Sequence, residues 1–426
     1  MGHSGIVTPV TPDASIRAGL ISYAGRLHAA IGQRHHVASP LAAWLLLALC
    51  APAAGGADRA MLAEVLGCDP EAARQAAADL LSRPHPQVAA AAAVWQARHV
   101  PAGPRFEQWR AALPAAVQTG DLPAPAELDS WARQHSFGLI ERFPVQVDPR
   151  VYLVLATALA TRVSWQVPFG LAPARELGAA SPWASRLRQV LRTPEHGHVQ
   201  FIAAQDPGDL AVHIAAADGL IVCSVAAAPD VPAAGVLAAA YRIGCAHADG
   251  ADIRRRPLSE LPLGDGPLWA IREELSARDS QDACTAVLPA WSARSHHDLG
   301  SDPALGFAAA ARALAGANPA EARQAAMARY HRTGFEAAAV TATAVRMSVV
   351  RGRGPRRVAE LRFGHPYAVV AVATSQPERP ARQHGRSPWH GLPVFSAWVA
   401  EPEDAGPEDA GPEDARPGDA GAEGSG

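Results

Sequence analysis

The chain has 426 residues, 49% of them apolar and 19% charged, which suits a globular protein with a sizeable core. All 38 basic residues are arginine, and the net charge of −3 is uneven: residues 401–426 hold nine acids and one arginine, so they carry −8 and the remainder +5. A body charge of +5 over 400 residues does not point to nucleic acid. Five irregularly spaced cysteines without a Cys-x-x-Cys point to buried thiols, not to a disulfide framework or zinc site.

Residues Met1 to Ser15 are polar, with glycine and proline and no signal-peptide pattern, which suggests a cytoplasmic protein; 1–13 read as a flexible N-terminus. Asp13 can cap a helix from about Ile16 to Ile31, whose apolar residues fall near the helical period. Ser39 and Pro40 form a helix start, with a capping hydroxyl followed by proline at the first helical position. The apolar run Pro40 to Ala54 is short of the ~20 residues that span a bilayer and reads as a buried core helix. A further helix, Arg59 to Leu66, closes at Gly67. A strand at Val88 to Trp95, a short helix at Phe106 to Leu113 and a buried strand at Val151 to Ala160 follow. Further on, strands are expected at Leu210 to Ile214, Gly219 to Ala226 and Val236 to Tyr241, with a helix near Leu268 to Leu275.

Several stretches together resemble the serpin family. Ser39-Pro40 through Leu66-Gly67 is similar to the family's second helix and the glycine turn and helix behind it. Asp129-Ser130-Trp131 to Gly138-Leu139-Ile140 follows Asn-x-Trp-Val-x-x-x-Thr-x-Gly-x-Ile, with Trp131, Gly138 and Ile140 in register. Thr157 to Phe169 follows Asn-Ala-x-Tyr-Phe-Lys-Gly-x-Trp-x-x-x-Phe: Ala158, Trp165 and Phe169 match, Arg162 replaces lysine and Thr157 replaces asparagine. Leu288 and Asp298 keep the ten-residue interval of Leu-Pro-x-Phe and Asp-Leu. Leu361 to Tyr367 resembles Phe-x-x-x-His-Pro-Phe, and Gly391 to Val399 resembles the closing strand. The resemblance implies an α+β serpin-like domain over 14–402, with three β-sheets and about nine helices. Beyond it, 403–426 repeat proline, acid and glycine, a composition that cannot bury a core, and read as a disordered acidic tail.

The organising stretch is Gly334-Phe335-Glu336-Ala337-Ala338-Ala339, continuing to Val345. Taken alone, alanine favours helix. The resemblance implies instead a reactive-loop hinge, exposed and able to insert as a strand. Small residues suit insertion, and if Phe335 points inward then Ala337, Ala339, Thr341, Thr343 and Val345 do too. Phe335 itself is bulky where the family has Thr or Ser. Overpacking costs ~1–3 kcal/mol, which would slow insertion and favour a non-inhibitory binding or chaperone-like protein as the alternative reading. The family's interval of fourteen residues after this glycine implies a scissile bond at Ser348-Val349; Arg346 and Arg351 are further candidates and would suit a trypsin-like protease. Ser39, Thr157 and Gln324 align with the polar cluster that controls sheet opening, and Trp165 with the aromatic where insertion begins.

No His-Glu-x-x-His, Gly-x-Ser-x-Gly, Walker or Gly-x-Gly-x-x-Gly motif is present, so no enzyme, cofactor or metal is assigned. His196-Gly197-His198 would put two imidazoles on one strand face, without a third ligand placed by spacing. His35-His36 and His296-His297 read as surface or polar core residues. The expected function is inhibition of a serine protease, as a suicide substrate, by a monomer without a nucleic-acid or membrane partner.

Overall fold

The computed structural model describes residues 12–98, 103–146, 151, 153–194, 196–276, 281–316, 322–335, 354–375 and 387–406. The N-terminal third is mostly helical: α1 (Pro12–Ile31), strand β1 (His36–Ala38), α2 (Pro40–Cys50), α3 (Gly56–Leu66), α4 (Pro70–Ser82), β2 (Val88–Gln96), α5 (Pro104–Ala111), β3 (Val117–Asp121) and α6 (Pro125–His135). The middle is strand-rich: β4 (Leu153–Thr161), β5 (Val163–Ser164), β6 (Gly170–Pro173), β7 (Gln189–Arg192), β8 (His198–Gln205), β9 (Gly208–Ala217) and β10 (Leu220–Ala226), then α7 (Ala233–Ala248). The last part holds β11 (Gly264–Asp265), β12 (Trp269–Ser276), β13 (Ala283–Leu288), β14 (Trp291–Asp298), α8 (Phe307–Ala315), β15 (Arg323–Tyr330), β16 (Gly334–Phe335), β17 (Gly354–Arg362), β18 (Tyr367–Ala373) and β19 (Pro393–Val399).

Local chemistry explains the helix starts. Ser39 accepts from the Ala42 amide at 3.3 Å, with Pro40 behind it, as expected. All of α2 except Leu46 is buried, the core helix anticipated from its apolar run. No helix among the described residues is long and apolar enough to cross a membrane. Gly67 caps α3 in the left-handed conformation (φ 72°), and a Cβ there would meet the Gly19 Cα at 2.5 Å; the two glycines let α1 and α3 touch through their backbones. Cys50, Cys223 and Cys245 are buried thiols.

The described residues form eight α-helices and four sheets. Two sheets have six strands, in the orders β1-β19-β18-β10-β9-β8 and β11-β12-β17-β13-β7-β6. The expected third sheet appears as two halves, β3-β2-β4 and β14-β15-β16-β5. They share one run of chain, because β4 passes through Arg162 directly into β5. Among the described residues no ladder joins β4 to β15; the two-residue β16 stands between β15 and β5.

Three expectations need correction. Val236 to Tyr241 is part of helix α7: Val236, Leu237, Ala240, Tyr241, Ile243 and Gly244 are buried at helical spacing, and the alanines between them favour helix. Leu268 to Leu275 is strand β12, since a full antiparallel ladder to β17, with an Arg356–Glu274 ion pair at 2.6 Å, overrides the helix propensity of Arg-Glu-Glu-Leu. The tail does not leave the body at 403: Glu403 to Gly406 pack against it, and Ala405 is wholly buried.

Candidate functional site: the hinge root and the sheet-opening cluster

Strand β15 alternates buried and exposed along its length and ends on Tyr330, which is fully buried. The chain then turns tightly through His331 to Thr333, with the His331 amide donating to the Gly334 carbonyl at 3.1 Å. Gly334 and Phe335 run back as a strand: Phe335 pairs with Tyr330 on one side and Val163 on the other, and Gly334 with Ser164. The first two hinge residues therefore already hold strand geometry, antiparallel to both neighbours.

The turn is held by the segment after β5. The Trp165 indole Nε1 donates to the His331 carbonyl at 2.9 Å, its amide to the Thr333 carbonyl at 3.1 Å, and the Phe169 amide to the Arg332 carbonyl at 3.0 Å. The Arg332 Nε returns a bond to the Phe169 carbonyl at 3.2 Å. Trp165 thus holds the turn that leads into Gly334.

Phe335 is 3% exposed. Its ring lies 6.5 Å from Trp165, 6.4 Å from Trp291 and 6.4 Å from Tyr330, with Trp291 stacked on Tyr330 at 5.9 Å. These are ordinary separations for attractive aromatic pairs. The overpacking expected of Phe335 does not arise here, because three large rings form a receptacle for it. The ring points inward.

Beneath this receptacle lie two buried histidines: His198, which the sequence paired with His196, and His213, which sequence reasoning missed. His198 Nε2 is 2.7 Å from the Val167 carbonyl and its Nδ1 is 3.0 Å from His213 Nε2. His213 Nδ1 faces the Tyr330 hydroxyl at 3.5 Å. A carbonyl only accepts, so His198 donates through Nε2 and, when neutral, accepts at Nδ1 from His213. Tyr330 then donates to His213, and one direction runs through the chain. Burial lowers the His198 pKa to about 4, against the Val167 bond that raises it; burial and His198 lower His213 well below the usual value. Gly197 (φ 94°) permits this approach, since a Cβ there would meet Val167 at 2.3 Å. His196 lies exposed before β8 begins, so the pair at 196 and 198 does not share a strand face.

Ser39, Gln324 and Thr157 come together around the first turn of α2. Gln324 on β15 accepts from the Ser39 amide at 3.0 Å and donates to the Ser39 carbonyl at 2.8 Å. The Ser39 hydroxyl donates to the Val394 carbonyl at 2.8 Å. Thr157 on β4 does not bond to Ser39 or Gln324; it donates to the Ala42 carbonyl at 2.9 Å. Each half-sheet therefore grips the same helical turn, one through Gln324 and the other through Thr157. Trp165 stands apart, at the hinge.

Behind β1 a second polar chain is buried. Tyr241 donates to Ser396, Ser396 lies 2.7 Å from His28 Nε2, His28 Nδ1 lies 2.8 Å from His36 Nε2, and His36 Nδ1 lies 2.7 Å from the Arg34 carbonyl. Burial holds the His28 pKa down at about 3 and that of His36 at about 4. His297 is also buried, bonded to the Val37 carbonyl, whereas its neighbour His296 is exposed and His35 bonds the Ser292 carbonyl. The remaining hinge residues Glu336, Ala337, Ala338 and Ala339, and the scissile candidates Arg346, Ser348, Val349 and Arg351, lie outside the described residues.

The family model for serpins (serine protease inhibitors) matches residues 21–176. No curated protein matches by sequence. Among solved structures, human glycosylated kallistatin is similar with a TM-score of 0.60 and 13% identity, over 92% of this chain and 99% of that one. Human thyroxine-binding globulin complexed with its hormone gives 0.60 and 12%, over 92% and 100%. A serpin from the trematode Schistosoma haematobium gives 0.56 and 13%, over 91% and 100%. At these identities the structures speak for the fold alone. The chain thus carries a serpin-family segment over residues 21–176 and has the serpin fold.

Proposed function

We propose that this protein inhibits a serine protease by offering the segment after Phe335 as a substrate and inserting it as a strand once it is cut. The observation that carries the reading is the seating of Gly334 and Phe335 between β15 and β5, where an added strand would begin. The protease serine attacks the scissile carbonyl and forms an acyl-enzyme. While the loop is intact its far end is tied to β17 at Gly354; cleavage frees the N-terminal part to continue from Phe335 between the half-sheets. Insertion carries the acylated protease with it and distorts its site before water releases it. The uncut fold is then held kinetically, by a barrier to opening, rather than by being the most stable arrangement. Arg346 and Arg351 as reactive residues would direct the loop to a trypsin-like enzyme.

The receptacle around Phe335 supports insertion over the non-inhibitory alternative, because the first side chain to enter is accommodated by Trp165, Trp291 and Tyr330. The test is thermal unfolding before and after limited proteolysis of the loop. A sharp rise in Tm on cleavage is expected; an unchanged Tm would mean that the loop does not insert.

A further inference from the structure

The tail begins with Pro402-Glu403-Asp404-Ala405-Gly406, then Pro407-Glu408-Asp409-Ala410-Gly411, Pro412-Glu413-Asp414-Ala415-Arg416 and Pro417-Gly418-Asp419-Ala420-Gly421. The first of these is docked on the body, between the start of β7 and the start of β14. Asp404 Oδ1 accepts from the amides of Arg188 and Gln189, each at 2.8 Å, and Oδ2 accepts from the Arg188 Nε at 3.0 Å. The Ala405 amide donates to the Gln189 carbonyl at 3.1 Å and the Glu403 amide to the Ala290 carbonyl at 2.7 Å. The Glu403 carboxylate accepts from the Ser292 hydroxyl. Ala405 is 0% exposed and part of the main core.

These contacts account for two of the three positions that all four copies keep, the aspartate and the alanine; the third is the proline. Aspartate and alanine recur in all four copies, and they are the anchor and the buried residue of the docked copy. The second position is Glu, Glu, Glu, Gly; in the docked copy it bonds the body through its amide, which any of these residues supplies, and through a carboxylate bond to the Ser292 hydroxyl, which the glycine copy forgoes. The fifth is Gly, Gly, Arg, Gly and makes no anchoring contact. An aspartate that accepts two consecutive amides and a guanidinium is a charge-assisted, geometrically selective contact. A fully buried alanine leaves no room for a larger side chain.

We propose that the groove between β7 and β14 is a recognition site for the Pro-x-Asp-Ala motif, and that the later repeats, residues 407–421, are alternative occupants of it. Register exchange moves the tail by five residues at a time and loops out the intervening copy, at an entropic cost that grows only slowly with loop length. Tethered copies stand at effective concentrations of the order of mM, so the site stays filled while the length of free acidic tail changes stepwise.

The test uses the full chain and reads hydrogen exchange at the Arg188 and Gln189 amides. In Asp404→Ala, Asp409 takes the place of the lost carboxylate, and protection stays within about threefold of the parent. In the quadruple variant Asp404→Ala, Asp409→Ala, Asp414→Ala, Asp419→Ala, protection falls by about tenfold or more. The peptide Pro-Glu-Asp-Ala-Gly-Pro-Glu-Asp-Ala-Gly, added at mM concentration, then restores it. Loss of protection in the single variant, its survival in the quadruple variant, or failure of the peptide would each overturn the proposal.

Discussion

Replacing Phe335 by alanine removes the side chain that seats the hinge. The ring is 3% exposed and meets three aromatic rings at 6.4 to 6.5 Å. Burying a phenylalanine is worth ~1.5–3 kcal/mol in transfer free energy, and each aromatic pair adds about 0.5–1.5 kcal/mol. The competing state is a hinge lifted into solvent, so the cavity term of a core deletion is relieved and the transfer term is the appropriate minimum. A loss of ~1.5–3 kcal/mol corresponds to a population of the lifted hinge about 10- to 150-fold larger. Amide hydrogen exchange at residues 334 and 335 reads that population directly, and incubation with trypsin reads its consequence as the ratio of trapped complex to cleaved product. We expect faster exchange and a shift toward cleaved product. Unchanged exchange, or a shift toward trapped complex, would refute the receptacle and restore Phe335 as an obstruction.

Other consequences concern the groups around the site. Gln324→Leu removes both bonds to Ser39 and leaves the buried Ser39 amide unpaired, at about 1–3 kcal/mol, while the Ser39 carbonyl keeps the Ala43 amide at 3.4 Å; the rate of irreversible unfolding on heating should rise, and an unchanged rate would mean that this contact does not hold the two elements together. Thr157→Val breaks only the bond to Ala42 O and should cost about 1 kcal/mol in unfolding by denaturant. Trp165→Phe keeps the ring but leaves the His331 carbonyl without the indole bond, so the hinge turn should exchange faster while the global Tm moves less. For pH, the folded pKa values of His36 and His198 (about 4) and His28 (about 3) lie below the unfolded value near 6.5, so the unfolded chain binds more protons in acid. Their contribution is complete above 6.5 and is lost as pH falls from 6.5 toward 4, by up to about 1.4 kcal/mol per unit for each histidine. Tm should fall steeply over that window and less steeply in His198→Gln; a flat profile would contradict the buried neutral chains.

Much of the architecture was legible because it rests on local chemistry. Ser39 with Pro40 marks a helix start wherever it occurs, and Trp165 and Phe169 keep a spacing that places both beside the hinge turn. Strand β12 was not legible: its Glu-Glu-Leu run favours helix, and what makes it a strand is a ladder running from Trp269–Leu361 to Ser276–Gly354, between residues far apart in the chain. Helix α7 was misread for the opposite reason, Val236 and Tyr241 outweighing the alanines among them. Phe335 looked wrong for an inserting strand because its three partners come from separate segments, at Trp165, Trp291 and Tyr330. His198 and His213 are fifteen residues apart and meet only across the β8-β9 pairing. Composition alone made the tail disordered from 403; the docking of Asp404 depends on two backbone amides, which no sequence pattern displays.

The most direct measurement is incubation with trypsin followed by denaturing electrophoresis. Covalent trapping predicts a band at the summed mass that survives boiling, with protease activity lost in proportion. A clipped chain alone, with protease activity undiminished, would contradict inhibition by insertion and leave a serpin fold serving another purpose.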